Sequence, residues 1–486
     1  MMKLIKKISP FLIIVLCNNL TFGQTLSLSE AINIGLKNND KIKQFYERFA
    51  QKKFDDLSSY GNFLPSIMLE GNFTHLNQEL NIDLNPIKEV ITNLQAKNQV
   101  ELANIYNILN NGNPLPIEIK NNIFSQTLST LNSTIPSFEE TFKKQNYWTA
   151  TLFITQPLFL GGKLIAAKNY ATAEKKSAEI ELTKVKNEIE SEIIVNYLRV
   201  LLLNNVVKTR EEVLNGMRNH EKEAKKLYDE GLIAVNNYLR AKVAVAEAEN
   251  NLSTDKNNLE LSWIILKKSL GIDQNTSFVL TDSLVFKEIK DSVNVFKQNA
   301  FESQPLLKII QEKNIEANQN FSIARSEFLP KIVAFGKYEM YPQYLSSLEP
   351  RWAVGIQFNL NIFKGFKDYL NLQSAKHLEN ELKFLESDVR KQVSLWIDKS
   401  YKDMQNAKTR YEKLSVTESL ALENLKQNEK RFEAGMATSL EVIDAQLSLE
   451  KVKVDRLKSL FDYYETLSSL FLAEGNPNKF LRIWYE

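Results

Sequence analysis

The chain has 486 residues, 61 Lys and Arg against 59 Asp and Glu, and one cysteine. That length is ample for a large core or several domains. The near-balanced charge carries no basic nucleic-acid footprint, and a single cysteine leaves no disulfide framework.

Residues 1–23 read as a removable leader. Lys3, Lys6 and Lys7 form a basic start, Phe11 to Leu16 an apolar run, and Thr21-Phe22-Gly23 puts small residues at the −3 and −1 positions of a cleavage site. The apolar run is too short to span a bilayer. Cys17 lies inside this leader, and bulky Leu16 before it disfavours lipid attachment. The mature chain is therefore expected to lack cysteine. No later stretch holds the roughly 18 consecutive apolar residues of a membrane helix. An exported chain of this kind is secreted, periplasmic, or crosses the outer membrane as a barrel.

Leu26-Ser27-Leu28-Ser29-Glu30-Ala31-Ile32 opens a helix, with Ser27 or Ser29 as its N-cap. The helical pattern runs to about Tyr60, and Phe63-Leu64-Pro65 ends it, because proline cannot continue a helix. A period-2 stretch follows: Ile67, Leu69 and Phe73 on one face, Ser66, Glu70, Asn72 and Thr74 on the other, with Met68 out of pattern. Residues 76–146 are Asn-rich and contain Pro86, Pro114, Pro116 and Pro136, which predicts a long loop with some local helix. A second strand has Trp148, Ala150, Leu152 and Ile154 against Thr149, Thr151, Phe153 and Thr155. Gln156 to Lys163 closes it and turns into a helix of roughly 65 to 70 residues, about 100 Å long. Within that helix Ile189, Ile193, Asn196, Val200, Leu203 and Val207 alternate 4 and 3, a coiled-coil seam. A tip at Tyr228 to Ile233 leads into a shorter helix ending at Leu270-Gly271, where glycine suits a C-cap.

The second half repeats this order. A helix runs to Glu327, a strand from Lys331 to about Tyr341, and a strand from Arg351 to Ile362. A long helix then runs to Gly435 and a return helix to Gly475. Around the second tip, Asn428 to Glu450, Gly435 breaks the helical pattern and Thr438 or Ser439 can cap the next helix. Leu440, Ile443 and Leu447 follow as an apolar seam. Gly161, Gly231 and Gly271 each recur 204 positions later, at Gly365, Gly435 and Gly475, whereas Pro65 and Pro330 lie 265 apart. The 61 extra residues must sit in the Asn-rich segment, and an insertion is tolerated where backbone faces solvent. The repeats are residues 24–270 and 271–486.

Strands of about ten alternating residues fit a membrane barrel, although any one of them also fits the edge of a soluble sandwich. Four strands cannot close a barrel, since single-chain barrels start at about eight. An open edge in lipid leaves backbone groups unpaired. Oligomerisation is the remedy: three copies give twelve strands under cyclic symmetry. The expected class is mainly α with a β-barrel part. The short helices stack end to end to match each long one, in a wall around a bore. Trp148, Leu152, Ile154, Trp352, Val354, Ile356 and Phe358 are the expected lipid-facing side chains.

The duplication, the Leu-Ser-Leu-Ser-Glu-Ala-Ile start, Gln156 to Lys163, and Arg431 to Gln446 together resemble the TolC family of outer-membrane efflux ducts. The resemblance covers nearly the whole mature chain. It implies a homotrimeric channel in outer-membrane lipid, with helices extending into the periplasm. It also implies two partners, a periplasmic adaptor (membrane fusion protein) and an inner-membrane pump for efflux or type I secretion. The tips Gly231, Leu232, Ile233, Gly435, Met436, Ala437 and Thr438 are then adaptor-docking residues. Acidic residues six and nine past the second tip glycine, Glu441 and Asp444, are then the periplasmic gate. Their first-repeat equivalents are Asn237 and Arg240, so the acidic pair belongs to one repeat, and a charged pair on a solvated helix face is the competing reading.

No enzyme, cofactor or metal site is legible. His75, His220 and His377 lie far apart, Glu188 to Glu192 reads as solvated helix, and Gly161-Gly162-Lys163 lacks the remainder of a phosphate loop. Two other functions stay open: a periplasmic adaptor or scaffold with helical hairpins, and a pump-independent outer-membrane pore.

Overall fold

The computed structural model describes residues 24–346 and 348–486. The expected leader and Cys17 lie outside these residues. The chain divides into two compact units, residues 58–166 with 322–371, and residues 24–57, 167–321 and 372–486.

The duplication is visible in helix lengths. In the first half α1 (Leu28–Asn38), α2 (Asp40–Gly61), α5 (Lys163–Asp229) and α6 (Val235–Leu270) have 11, 22, 67 and 36 residues. In the second, α7 (Val293–Ser303), α8 (Pro305–Ser326), α9 (Lys367–Glu433) and α10 (Ser439–Glu474) have 11, 22, 67 and 36 as well. The first helix predicted to Tyr60 is thus two helices broken at Asn39. Ser27 caps α1 in a capping box with Glu30, satisfying two otherwise unpaired donors.

In the helical unit the breaks serve as docking points. Gly271, the left-handed C-cap of α6, abuts Asn38 and Asn39 so closely that an added Cβ would lie 2.9 Å from backbone. Asn39 Nδ2 donates to the Ser269 carbonyl at 3.0 Å. Gly475 meets Gln304 in the same way, and Gln304 Nε2 donates to the Ala473 carbonyl at 2.8 Å. Thus α2 and α8 begin where a return helix ends, which gives the predicted end-to-end stacking for these two, while α1 and α7 pack beside α6 and α10. The core runs along α5, α9 and α10, with Ile189, Ile193, Tyr197, Val200, Leu467 and Phe471 buried. The predicted seam of α5 is buried apart from half-buried Leu203.

A belt across this core has no antecedent in the predicted elements. Strands β1 (Gln24–Leu26) and β6 (Phe278–Leu280) pair in parallel. Asp282 accepts from the Leu28 N–H at 2.8 Å and from the Tyr197 hydroxyl at 2.7 Å. The Lys287 N–H donates to the Tyr464 hydroxyl at 3.0 Å. A terminal helix, α11 (Lys479–Tyr485), buries Phe480 and Trp484 beside Tyr464.

The second unit holds a four-stranded antiparallel sheet in the order β2 (Ser66–His75), β5 (Asn146–Leu160), β7 (Lys331–Glu339), β8 (Trp352–Asn359). The two strands of the second repeat are slightly shorter than the alternation predicts. Residues 76–146 are not the long loop expected. They form a β3–β4 hairpin (Leu80–Asp83 with Glu139–Lys143) carrying two packed helices, α3 (Asn85–Asn111) and α4 (Ile117–Thr134). The prolines that suggested a loop sit at the ends: Pro86 in the first turn of α3, Pro116 as the N-cap of α4, and Pro136 just beyond its end. Proline fits a first helical turn without losing a hydrogen bond.

Candidate functional site

The sheet presents two chemically different faces. Ile67 pairs with Ile154, Leu69 with Leu152, and Phe73 with Trp148, and the register continues through Tyr338–Trp352, Gly336–Val354, Ala334–Ile356 and Ile332–Phe358. All of these residues share one face. Trp148, Ile154, Trp352, Val354, Ile356 and Phe358 are exposed, and Leu152 is half-buried between its neighbours. The opposite face carries Glu70, Asn72, Thr149, Thr151, Lys337 and Gln357, interrupted by Met68, Phe153 and Phe335. The Thr151 hydroxyl donates to Glu339 at 2.7 Å. The strand with Gly355 is flanked by Phe335, whose ring an added Cβ would touch at 2.9 Å.

A monomer exposing such an apolar face in water would aggregate. Among the described residues no helix is long and apolar enough to cross a membrane. The outer edges of β2 and β8 have no strand partner among the described residues.

The tips of the hairpins are built alike. Gly231 (φ 75°) and Gly435 (φ 69°) adopt the left-handed conformation that lets a helix end in a tight turn. Leu232 N–H donates to the Leu227 carbonyl at 2.8 Å and Met436 N–H to the Arg431 carbonyl at 2.7 Å. Leu232 and Met436 point outward, each 67% exposed, while Ile233 and Ala437 pack against the cluster of Ala224, Ala241, Phe432 and Ala445.

The tips differ in how the return helix starts. Thr438 caps α10 in a capping box: its hydroxyl accepts from the Glu441 N–H, and Glu441 accepts from the Thr438 N–H at 2.6 Å. At the first tip Ala234 occupies the cap position with no side-chain hydrogen bond, and the stacked rings of Tyr228 and Tyr238, 5.9 Å apart, brace the turn. Arg431 ties the second tip together. It donates to the Met436 carbonyl at 3.1 Å and lies 3.7 Å from Glu441. Arg431 went unassigned at the sequence level, although its place four residues before Gly435 was available as a signal.

Glu441 and Asp444 are both on the first turns of α10. The Thr438 backbone hydrogen bond holds the Glu441 carboxyl below the usual range. Asp444 is exposed and, among the described residues, makes no hydrogen bond or ion pair. Arg240 is exposed on α6. The apolar seam predicted at Leu440, Ile443 and Leu447 is shifted: Leu440 and Leu447 are exposed, and Val442, Ile443, Ala445 and Leu449 are buried. Farther along, Arg210 on α5 bridges Asp255 on α6, at 2.8 Å, and Glu450 on α10. His220, tilted against the Phe432 ring, shares a hydrogen bond of 2.7 Å with Ser439, and burial lowers its pKa. Among the described residues no group of three or more His, Cys, Asp or Glu is placed to hold a metal ion.

The family description that matches the chain is "Outer membrane efflux protein", over residues 122–272 and 298–476. No curated protein sequence matches. Among solved structures the chain resembles the outer membrane protein VceC of Vibrio cholerae. The TM-score is 0.69 and the identity 17%, over 92% of this chain and 96% of that one. It resembles the CmeC outer membrane channel of Campylobacter jejuni with a TM-score of 0.70 and 14% identity, over 94% and 89% of the two chains. The MtrE outer membrane channel of Neisseria gonorrhoeae gives 0.66 and 14%, over 93% and 89%. With a doubled set of long helical hairpins and a four-stranded sheet with one apolar face, the chain belongs to the outer membrane efflux protein family and has the TolC-like channel fold.

Proposed function

We propose that three copies of the chain assemble into a duct through the outer membrane, fed at its helical tips by a periplasmic adaptor and an inner-membrane pump. The observation that carries this reading is the sheet. Its apolar face suits lipid, its polar face suits a water-filled lumen, and both its edges are open. Unpaired backbone at an edge is not tolerated in hydrocarbon, so β2 of one copy meets β8 of the next until the ring closes. The passage is passive, and energy comes from the pump.

Exposed Leu232 and Met436 beside tightly turned glycines make the tips the docking points. Glu441 and Asp444 lie just inside the second tip, where three copies would bring six carboxylates towards one axis. Asp444 is the stronger contributor to such a ring, because the Glu441 carboxylate is engaged with its own helix start. A free-standing scaffold or adaptor has no use for a sheet with this outer face.

The test is the assembly state. The full chain extracted from outer membranes in mild detergent should run as a trimer by light scattering, and a monodisperse monomer that retains its strand signal in circular dichroism would overturn the reading.

A further inference from the structure

The insertion between β2 and β5 carries a helix with two packing faces, only one of which is used. The face of α3 formed by Thr92, Ala96, Val100 and Asn104 is buried against α4. These residues recur every four positions and are small enough for close helix approach. The opposite face is larger and more apolar. Ile87, Ile91, Leu94, Asn98, Ile105 and Ile108 recur at spacings that keep to a heptad, and all are exposed, with Leu94 at 59% and Ile105 at 52%. Glu101 interrupts the seam, and Leu102 beside it, 61% exposed, extends the stripe across the gap.

We propose that this face of α3 packs on its own copies, so that three α3 helices form a parallel coiled-coil bundle on the outer side of the channel. The proposal rests on the trimer reading above. Three observations select a second copy as the occupant. The seam keeps heptad spacing on both sides of Glu101, the period of a coiled coil. Four of its seven core positions, Ile87, Ile91, Ile105 and Ile108, are isoleucine on both rows, a composition that favours three strands over two, and Asn98 at a core position restricts the register. The insertion also grows from β2, the edge strand whose unpaired side meets the next copy, so the seam continues an interface the trimer already needs. A two-fold contact would leave the third helix uncovered.

The experiment uses the full chain with Cys17→Ser, so that an introduced thiol stands alone. Leu94→Cys and Ile105→Cys place thiols in the seam, and Gln99→Cys places one on an exposed flank of the same helix. Detergent-solubilised trimers are oxidised, and disulfide-linked pairs are resolved on a denaturing gel without reductant. The expected result is pair formation at both seam positions at least about tenfold faster than at Gln99→Cys, at a rate independent of protein concentration. A stable trimer whose seam thiols link no faster than the flank thiol overturns the bundle. So does linkage whose rate rises with concentration, since that reports contact between trimers. Seam thiols that react only with a lipid-soluble maleimide would assign the face to the membrane instead. Absence of a trimer in the unsubstituted chain marks failure of the assembly reading itself, and the bundle falls with it.

Discussion

Charge at single residues sets the first expectations. If Asp444 carries the negative ring and Glu441 chiefly caps α10, the two positions differ in their effect on conduction. In planar bilayers Asp444→Asn should weaken block by a multivalent cation and reduce cation preference. Glu441→Gln should do less, because glutamine can still accept the Thr438 N–H. Undiminished block in the double variant would return both residues to the solvated helix face. Glu190 offers a second case. It is buried on α5, its Oε1 has no hydrogen-bond partner among the described residues, and burial pushes its carboxyl up to about 7. The native state therefore holds a proton that the unfolded chain releases near 4.5. Stability falls as pH rises from about 4.5 to 7, and the penalty is complete above that. Glu190→Gln should thus raise the melting temperature at pH 8, by up to about 3 kcal/mol in stability, with little change at pH 4. An equal gain at both pH values would show that charge is not the cause. What singles out Glu441 and Asp444 as a gate is the resemblance to the family; the residues alone read as a solvated helix face. Glu441 also stands three past Thr438, the spacing of a capping box, and that cap is what forms.

At the scale of elements, the two strand-to-helix turns are unequal. Gly161 and Gly162 are both left-handed, at φ 64° and 83°; in the second repeat Gly365 keeps φ 60°, but Phe366 must adopt φ 63° with a full side chain. Such a conformation costs a non-glycine residue about 1–2 kcal/mol. Phe366 is exposed and its ring meets Phe363 edge-on at 5.3 Å. Phe366→Gly should raise the thermal stability of the detergent-solubilised protein by about 1 kcal/mol, read as an upward shift in melting temperature; an unchanged or lower value would mean that the ring anchors the turn. Long elements were easy to read because their signals add up: the 4-and-3 seam of α5 spans five turns, and Trp352 to Phe358 alternate without a fault. The insertion was misread because Asn and Pro suggest loop locally, while α3 and α4 earn their helicity from each other through Ala96 and Val100. The β1–β6 belt was invisible because three-residue strands carry no periodicity.

For the whole molecule, the insertion and the repeats obey different rules. Leu84 N–H donates to the Phe138 carbonyl at 2.9 Å and Asp83 pairs with Glu139. The ends of the α3–α4 segment are therefore already joined, and residues 85–134 can be replaced by a short glycine linker without moving β2 or β5. The shortened chain should still reach the outer membrane as a trimer, with somewhat lower heat resistance if the α3 bundle contributes. Loss of the trimer would make the insertion part of the assembly's foundation.

The matched helices carry a consequence of another kind. A cooper cuts the staves of a cask to one length, because a single short stave spoils the rim. Here α5 and α9 are cut to 67 residues and α6 and α10 to 36. Removing one heptad from α5 alone would draw Gly231 back by about 10 Å along its axis and leave Gly435 where it is. An adaptor docking on both tips, as proposed, would then meet two hairpins out of step. On that reading a heptad removed from α5 and α6 should be tolerated only when α9 and α10 lose one too, whereas the insertion between β2 and β5 has no counterpart to match.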